Sequence, residues 1–480
     1  MAWRVERPRR IDSDLSKIFD SPRFFFGLAL LLAVVAVVSQ FQFGSPGKEV
    51  GGAEDIERLS QREDLNVVFV LVDALRADHL GTYGYERPTS PTIDAMTERG
   101  IRFANVEAQS SWTKASMASL WTGLFPQRSG ILRYDDGLPS EAVLAAEIFQ
   151  EAGYNTAGIF RNAWVGGNFG FDQGFDLYVG TSPSRTVNRL QASTMSTGGL
   201  RGSDIDATES AIEFMLSSVN DPFLLYVHYM DVHQYSYSTE SDLFGSSFGD
   251  LYDNAIHWVD VNIARLLEAM SRMDLLGNTI VVIASDHGEG FGEHGFEGHA
   301  KGLYKEVQFT PWLIWLPFDL AESIVVDAQV ANVDIWPTLL DLVGLDPLPA
   351  ADGRSAVPAI LAAARGESVP SEFAERIVYS QIDANWGRVR QSPYPMVAVL
   401  KPPYRFQHRT ENPERDELFN HTDDATEQEN VVLKEAETAS ILRDAAVDYL
   451  EEVTPDWDTN EIELDRMKLD QLRALGYKID

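Results

Sequence analysis

The sequence predicts an α/β fold in which a doubly wound, mostly parallel sheet precedes a smaller C-terminal α+β subdomain. Apolar, β-branched runs of strand length alternate with helical periodicity from Asn66 to about residue 350, which is typical of a parallel sheet covered on both faces. Beyond that point come short strand-like pieces and an acidic helical tail. At 480 residues the chain exceeds the size at which one core stops growing, so a second unit is expected.

The N-terminal segment predicts a membrane anchor. Residues 24–43 carry no charge and are numerous enough to cross a bilayer as a transmembrane helix. Basic residues crowd residues 1–23, and the positive-inside rule places that tail in the cytoplasm. A cleaved signal peptide is the alternative, although its charged leader would be unusually long and no clear Ala-x-Ala site follows. We expect a single-pass protein whose globular part is extracytoplasmic, joined to the anchor by a linker over residues 44–65.

The globular part is predicted as one large domain over residues 66–350 and a subdomain with an acidic helical tail over 351–480. In the large domain, strands are predicted at residues 66–72, 154–160, 222–227 and 279–285. Helices are predicted at residues 141–153, 207–219 and 250–273. Residues 180–206 and 234–249 are rich in small polar residues and predict long loops. Because the second loop follows His233 directly, we assign it to substrate access.

Composition narrows the possible functions. The net charge of −34 and the pI of about 4.5 exclude nucleic acid as a partner, because nucleic acid requires a basic face. The absence of cysteine excludes disulfides, thiolate zinc sites and cysteine nucleophiles. An acidic protein that binds an anionic substrate needs a local concentration of positive charge, which a metal ion supplies.

Two of the predicted strands end in metal-ligand residues. Asp73 follows the run 66–72, and Asp286 and His287 follow the run 279–285. Open α/β sheets bind ligands at the carboxyl ends of their strands. Each residue alone has a structural alternative, since Asp73 could cap the next turn and His287 could be a packed core histidine. Together they suit one divalent metal ion, which could be Zn²⁺, Mn²⁺, Mg²⁺ or Ca²⁺.

Thr113 is the candidate nucleophile and a fourth metal ligand. It begins the segment TKASMASLWTG, which predicts a short helix, and the alternative role for threonine at that position is an ordinary N-cap. The amides and dipole of a helix N-terminus stabilise anionic oxygens beside such a hydroxyl. A threonine hydroxyl is a poor nucleophile at its ordinary pKa, so it requires a metal or a base.

The chain has nine histidines, and five of them lie near these positions. His287, His294 and His299 share one predicted loop, and His228 and His233 lie with Asp231 at another strand end. Histidines beside a metal can bind substrate oxygens or protonate a leaving group, which makes His233 and His299 candidate catalytic residues. The candidate substrate-binding residues are Arg76, Lys114 and Asn162. A solvated surface position is the alternative for the two cations.

Several motifs occur in an order that resembles the sulfatase family of the alkaline phosphatase superfamily. They include VLVDALRADHLGTYGYERPTSPTIDAM, SSWTKASMASLWTGLFPQRSG, GFDQGFDLY, VHYMDVH, SDHGEGFGEHGFEGH, VDIWPTLLDLVGL and the terminal LRALGY. The resemblance implies a doubly wound α/β domain with a smaller C-terminal sheet. It also implies one metal held by residues matching Asp73, Asp286, His287 and the nucleophile. Residues matching His233 and His299 would contact the transferred group or the leaving oxygen.

The chain departs from the sulfatase pattern at the nucleophile. Sulfatases carry a C/S-x-P-x-R motif whose first residue is oxidised to formylglycine, whereas the matching run here is TKASM, beginning at Thr113. Sulfatases usually carry a second acidic residue beside the first ligand, whereas this chain has Ala74 at that position. A threonine nucleophile resembles the phosphoryl-transfer relatives, which include phosphonate and phosphodiester hydrolases and cell-envelope transferases. Those transferases usually carry several membrane spans, whereas this chain has one predicted span.

The residues and the resemblance together predict a membrane-anchored, metal-dependent hydrolase or transferase of phosphate esters. Metal-bound Thr113 would attack in line and form a covalent ester, and His299 or His233 would protonate the leaving group. The expected partner is an anionic ester, such as a cell-envelope lipid or glycan. One alternative is a sulfatase that uses Thr113 directly. The other is a non-catalytic envelope-binding protein, which has no need of three converging ligands.

Overall fold

The computed structural model describes residues 48–181, 203–218, 221–384 and 393–462. The predicted anchor at 24–43 lies outside these ranges, as do the basic tail, much of the 180–206 loop and the terminal LRALGY motif. Within the described ranges, every helix is too short or too polar to cross a bilayer. The transmembrane helix and the predicted domain boundaries therefore stay predictions.

An eight-stranded sheet forms the centre of the large domain. Its strands in chain order are β1 (Asn66–Val72), β2 (Ile101–Glu107), β3 (Asn155–Phe160), β4 (Leu177–Gly180), β5 (Phe223–Tyr229), β6 (Thr279–Ala284), β7 (Trp312–Trp315) and β8 (Ile324–Ala331). Their spatial order is β8-β2-β7-β6-β1-β5-β3-β4. Strand β7 runs antiparallel to both of its neighbours, and the remaining pairs are parallel. The sheet is therefore mixed, with mostly parallel pairs.

Helices cover both faces of this sheet, which confirms the predicted α/β class. The helices are α1 (Ala53–Arg58), α2 (Pro91–Thr97), α3 (Thr113–Thr122), α4 (Pro126–Ser129), α5 (Ala145–Glu151), α6 (Asp204–Ser218), α7 (Phe248–Arg272), α8 (Lys305–Gln308), α9 (Ile335–Val343), α10 (Val357–Ala364), α11 (Ser371–Ala374) and α12 (Ala436–Glu452).

The burial of strand β1 on both faces explains why its sequence is apolar without interruption. Alternate residues of a strand point to opposite faces, and here both faces are buried. Phe69 packs on one side against Trp121 of α3 and Trp336 of α9. Val68 and Val70 belong to the second core, on the face that α7 covers.

A four-stranded antiparallel sheet forms the C-terminal subdomain. Its strands, neighbours in chain order, are β9 (Val378–Asp383), β10 (Pro395–Lys401), β11 (Tyr404–Arg409) and β12 (Glu417–Asn420). Helix α12 packs Leu442 and Ala446 against Val397 and Val399 of this sheet. Arg405 of β11 joins the sheet to the large domain, because its buried guanidinium pairs with Glu107 at 2.5 and 2.7 Å.

The sheet order places three strand ends beside each other. Strand β1 lies between β5 and β6 and is parallel to both. Parallel strands end at the same edge, so the residues that follow Val72, Tyr229 and Ala284 leave the sheet together. The candidate site is at this edge.

The loop that follows the edge is held to the C-terminal subdomain by His294. The ring bonds the Glu306 carboxylate through Nδ1 and the Glu427 carbonyl through Nε2, both at 2.8 Å, and stacks on Tyr304 with centroids 3.9 Å apart. Two acceptors satisfy both ring N–H groups of an imidazolium. Burial opposes the charge, but the two hydrogen bonds outweigh it and raise the pKa of His294 to about 9.

The raised pKa of His294 predicts a pH-dependent contribution to stability. A histidine pKa raised by folding adds stability that is fully present below the unfolded pKa of about 6.5. That stability is lost as the pH rises through about 9. We expect His294→Gln to lower the free energy of unfolding by roughly 1–2 kcal/mol at pH 6, allowing for solvent screening, and the difference to close by about pH 10.

Urea denaturation of both proteins across this pH range measures the difference. His257→Gln is the control, because burial lowers the pKa of His257 and its effect on stability should not fade at alkaline pH. A difference for His294→Gln that stays constant from acid to alkaline pH would contradict the assignment.

Candidate metal centre and active site

Four polar side chains meet at the shared strand edge. Asp73 follows β1, Asp286 and His287 follow β6 after one serine, and Thr113 is the first residue of α3. All four are fully buried. Asp73, Asp286 and His287 each offer a ligand atom, and these atoms lie within 4.8 Å of one another. The structure therefore brings together the four predicted metal ligands.

The imidazole of His287 faces the two carboxylates and the hydroxyl with one nitrogen. Its Nε2 lies 3.4 Å from Asp286 Oδ2, 3.8 Å from Asp73 Oδ1 and 3.1 Å from Thr113 Oγ. Its Nδ1 lies 2.9 Å from the carbonyl oxygen of Gly288, which can only accept. In the neutral ring Nδ1 therefore carries the proton, and Nε2 presents its lone pair to the cluster, as a metal-binding histidine does.

The turn that carries Asp286 and His287 is fixed by hydrogen bonds from three other segments. Ser116 of α3 donates to the Asp286 carbonyl at 2.6 Å, and Asn332 donates to the Ser285 carbonyl at 2.8 Å. The amide of Ala74 donates to Asp286 Oδ1 at 3.2 Å. Because Oδ1 is held in this way, Oδ2 is the oxygen that faces the cluster.

The donor atoms fit a divalent cation. Asp73 Oδ1 and Asp286 Oδ2 are buried and accept no hydrogen bond from any part of the chain that the structure describes. A buried carboxylate oxygen without a partner is costly, and a bound cation removes that cost. Two carboxylates, one imidazole nitrogen and one hydroxyl suit Zn²⁺ or Mn²⁺ and, through the oxygens, Mg²⁺ or Ca²⁺.

The pKa values of the two buried carboxyl groups are shifted in opposite directions. Burial and the negative charge of Asp73 raise the pKa of Asp286. Burial also opposes ionisation of Asp73, but the nearby His233 and His228 outweigh it and hold the pKa of Asp73 below its usual range. Burial opposes the charged form of His287 as well, but the two carboxylates outweigh it and raise the pKa of His287.

Asn162 and His228 orient Asp73 and the nucleophile. The Asn162 amide nitrogen donates to Asp73 Oδ2 at 2.6 Å and to Thr113 Oγ at 3.3 Å. Its carbonyl oxygen accepts from the Trp164 amide, which fixes the orientation of the side chain. His228 Nε2 lies 3.0 Å from the same Asp73 oxygen. Asn162, predicted as substrate-binding, therefore already contacts both a candidate ligand and the candidate nucleophile.

Thr113 does not use its hydroxyl as an N-cap. The N-cap position is Trp112, and no side chain caps the helix. The Thr113 hydroxyl instead contacts His287 and Asn162. This geometry leaves the oxygen beside the candidate metal ligands and at the positive end of α3.

His233 and His299 form the wall of the site next to His287. The ring of His299 stacks 4.4 Å from that of His287, and His233 lies 4.8 Å from His299. Burial lowers the pKa of His233 to about 4 and that of His299 well below its ordinary value. Glu289 lies 3.3 Å from His299 Nδ1, and burial raises its pKa to about 7. Sequence reasoning missed Glu289, although it follows His287 by two residues.

The two predicted substrate-binding cations are bonded elsewhere. Lys114 donates to the carbonyl oxygens of Tyr134 and Asp136 at 2.7 and 2.6 Å. Arg76 pairs with Asp78 at 2.8 Å and Glu293 at 2.5 Å. The structure does not bring either head group into the cluster, and their role in substrate binding stays a prediction without a supporting contact.

Comparison with known proteins places these residues in a family context. A family model described as Sulfatase matches residues 65–345, which is more than half of the chain. A second, described as N-sulphoglucosamine sulphohydrolase, C-terminal, matches residues 292–452. An ulvan-active sulfatase from Formosa agariphila is 28% identical over 324 residues, covering 60% of this chain and 63% of that protein. The alignment thus spans less than two thirds of that relative.

Two solved structures share the fold. A 2-O GAG sulfatase superposes with a TM-score of 0.67 at 19% identity, covering 87% of this chain and 98% of that one. The phosphonate monoester hydrolase of Agrobacterium radiobacter superposes with a TM-score of 0.65 at 16% identity, covering 84% and 98%. At these identities the likeness shows the fold alone.

Because two carboxylate oxygens accept no hydrogen bond, we expect Asp286→Asn to have opposite effects on stability with and without metal. In chelator the substitution removes the repulsion between two buried carboxylates, so the variant should be at least as stable as the wild type. Metal at about 100 times its Kd should stabilise the wild type by about 2.7 kcal/mol and the variant by much less. Thermal denaturation with Zn²⁺, Mn²⁺, Mg²⁺ and Ca²⁺ in turn measures both effects.

Asp260→Asn is the matched control for this comparison. Asp260 is also buried, but it accepts hydrogen bonds from the Thr92 and Ile93 amides outside the cluster. This variant should keep the full metal response. An Asp286→Asn protein that is stabilised by metal as strongly as the wild type would refute the ligand assignment.

Proposed function

Because this chain belongs to the sulfatase family, we propose that it hydrolyses sulfate esters with Thr113 as the nucleophile. The observation that carries the proposal is the position of the Thr113 hydroxyl, 3.1 Å from His287 Nε2 at the edge of the candidate metal ligands. Phosphate esters were the leading expectation from the sequence. The ulvan-active relative supports the alternative, sulfate, and it favours a glycan ester over a lipid.

A divalent cation held by Asp73, Thr113, Asp286 and His287 would lower the pKa of the hydroxyl and offset negative charge on the ester oxygens. Asn162 donates to Thr113 Oγ at 3.3 Å, so one lone pair of that oxygen faces the amide and the orientation of the hydroxyl is fixed. The helix N-terminus behind Thr113 adds a favourable potential for an anion. The enclosed site keeps bulk water from the reacting atoms.

In the first step Thr113 Oγ attacks sulfur in line with the leaving oxygen. The new bond joins Thr113 Oγ to sulfur, and the bond between sulfur and the leaving oxygen breaks. The proton that the departing alcohol gains balances the one that Thr113 loses. Burial keeps His233 and His299 neutral in the free protein. A bound anionic ester favours their protonated form, so either ring can supply that proton once substrate is present.

In the second step water attacks the sulfur of the Thr113 ester. The bond between sulfur and Thr113 Oγ breaks, sulfate leaves, and the hydroxyl is restored. Threonine cannot be oxidised to formylglycine, so its ester is an ordinary sulfate monoester that only attack at sulfur can release. We therefore expect the second step to be slower than the first.

The slow release step predicts burst kinetics. With 4-nitrophenyl sulfate and metal, the wild type should release about one equivalent of nitrophenol per active site before a slower steady state. Mass spectrometry of the quenched protein should find one sulfate group on the peptide that contains Thr113. Thr113→Ala should lose the burst and at least about 10³-fold in turnover, whereas Thr113→Ser should keep both.

Thr122→Ala provides the matched control. Thr122 lies in the same helix, and its hydroxyl donates to the Ala118 carbonyl at 2.7 Å, so its loss should leave turnover unchanged. Turnover that survives Thr113→Ala would eliminate Thr113 as the nucleophile.

Phosphate esters are a second candidate substrate, favoured by the hydroxyl nucleophile. A hydroxyl can attack phosphorus as well as sulfur, and the arrangement of Thr113 beside Asp286 and His287 suits in-line phosphoryl transfer. Turnover of 4-nitrophenyl phosphate or phenylphosphonate above that of the sulfate would favour this reading. Transfer to an acceptor alcohol and membrane anchoring by residues 24–43 stay predictions.

A further inference from the structure

A hydrogen-bonded pair of side chains behind Asp73 has no role in the steps proposed above. Tyr226 and His228 lie in β5, and both are fully buried. The Tyr226 hydroxyl lies 2.6 Å from His228 Nδ1, and His228 Nε2 lies 3.0 Å from Asp73 Oδ2. These two contacts connect the core of the sheet to one oxygen of a candidate metal ligand.

The strand geometry holds this pair beside Asp73. Alternate residues of a strand share a face, so Tyr226 and His228 point to the same side of β5. In the parallel pairing of β5 with β1, His228 lies two residues before the level of Asp73. The Tyr226 ring stacks 6.0 Å from Phe69 and meets Trp121 edge-on at 5.2 Å. These core contacts fix the position of the Tyr226 hydroxyl.

The direction of each hydrogen bond follows from the groups that form it. An ionised carboxylate can only accept, so His228 Nε2 carries a proton and donates to Asp73. In the neutral ring Nδ1 is then an acceptor, and the Tyr226 hydroxyl is its donor. Burial raises the pKa of Tyr226 well above its ordinary value, so the phenol keeps its proton. The pair therefore supports Asp73 without adding a charge to the site.

Asp73 presents only one of its two oxygens to the cluster. Two donors occupy Oδ2, because the Asn162 amide donates to it at 2.6 Å in addition to His228. Oδ1 is buried, accepts no hydrogen bond within the described ranges, and lies 3.8 Å from His287 Nε2. A carboxylate without such donors can offer both oxygens to one cation. The donors on Oδ2 oppose that second mode of binding.

Asp286 is restricted in the same way. The Ala74 amide occupies its Oδ1 at 3.2 Å, and its Oδ2 faces His287 Nε2 at 3.4 Å. Together with Thr113 Oγ, the four candidate ligands thus offer one donor atom each. Such a set, with one imidazole nitrogen, suits Zn²⁺, which is usually four-coordinate. Ca²⁺ takes about six to eight oxygens and often binds both oxygens of a carboxylate.

We propose that Tyr226 and His228 restrict Asp73 to single-oxygen coordination and that this restriction makes the site select Zn²⁺ over Ca²⁺. This metal choice is independent of which ester the site cleaves. Hydrogen bonds to a metal-binding group orient it, and their loss typically weakens metal binding by about 10–100-fold. Without the Tyr226 hydroxyl, His228 is free to turn, and its hold on Asp73 Oδ2 weakens. Zn²⁺ then loses an oriented ligand, whereas Ca²⁺ can gain the second carboxylate oxygen.

The metal affinities of the full-length protein test this assignment. Competition against a chromogenic chelator gives the Kd of Zn²⁺, and isothermal titration calorimetry gives that of Ca²⁺, both without turnover. We expect Tyr226→Phe to weaken Zn²⁺ binding by about 10-fold and to leave Ca²⁺ binding unchanged or tighter, so the ratio of the two Kd values narrows. Loss of both affinities by the same factor, or of neither, would overturn the proposal.

Tyr229→Phe is the matched control. Tyr229 lies in the same strand and is also fully buried, but its hydroxyl contacts Thr208 at 2.6 Å, outside the cluster. This variant loses one phenol oxygen from the same strand, so it should keep both wild-type Kd values. A change in the Kd ratio as large as that in Tyr226→Phe would assign the effect to strand packing and contradict the proposal.

Histidine NMR keeps the hydrogen-bond assignment testable if a variant loses stability. The nitrogen shifts of ¹⁵N-labelled, metal-free wild-type protein report which ring nitrogen of His228 carries the proton, and His228→Phe identifies that signal by its absence. We expect the proton on Nε2 in the wild type and a change in the Nδ1 shift in Tyr226→Phe. A proton on Nδ1 would refute the role of Tyr226.

The outcomes also separate this proposal from the proposed function. A wild-type protein that binds neither ion would refute the metal centre and the metal choice with it. Sulfate esters that are not turned over by a protein with the expected Kd ratio would refute the proposed function alone.

Discussion

Two carboxylates buried side by side at the edge of the central sheet are the constraint on which the site depends. Asp73 and Asp286 each keep one oxygen without a hydrogen bond in the described structure, and both face the lone pair of His287. Like charges in a dry interior repel unless a cation lies between them. The surrounding donors, Asn162 and His228, act on the other oxygen of Asp73 and so leave the inner face for that cation.

The fold imposes this arrangement through the position of one strand. Strand β1 is parallel to neighbours on both sides, so the segments after β1, β5 and β6 leave the sheet at one edge. One strand delivers Asp73, the next delivers His233, and the third delivers Asp286 and His287. Helix α3 then adds Thr113 at its positive end. The parallel strands at the centre of the sheet thereby place charged side chains next to one another inside an apolar core.

The sequence predicted best those elements whose pattern depends on burial alone. Strand β1 was predicted with its observed bounds, because buried parallel strands are apolar at every position. Strands β4 and β7 were missed, since each has four residues and β4 is partly exposed. Strands β2 and β8 were also missed, because each contains exposed or half-exposed positions and therefore lacks a continuous apolar run.

The site residues also differ in how well the sequence predicted their positions. Ligands at strand ends were predictable because the strand itself fixes where the next residue lies. Lys114 was expected in the site because it follows Thr113, but successive helical side chains point about 100° apart, and its ammonium lies against two carbonyl groups instead. Glu289 was not predicted, because its contact with His299 depends on how the loop between them folds.

The exchange of an oxidisable residue for threonine changes the chemistry less than the family pattern suggests. Formation of a covalent ester requires an oxygen beside the metal ligands and at a helix N-terminus, and the Thr113 hydroxyl occupies that position. What threonine cannot supply is a second oxygen on the same carbon to expel the transferred group. Under the proposed function, the demand that distinguishes this protein therefore lies after the first step, in the admission of water to the sulfur of the Thr113 ester.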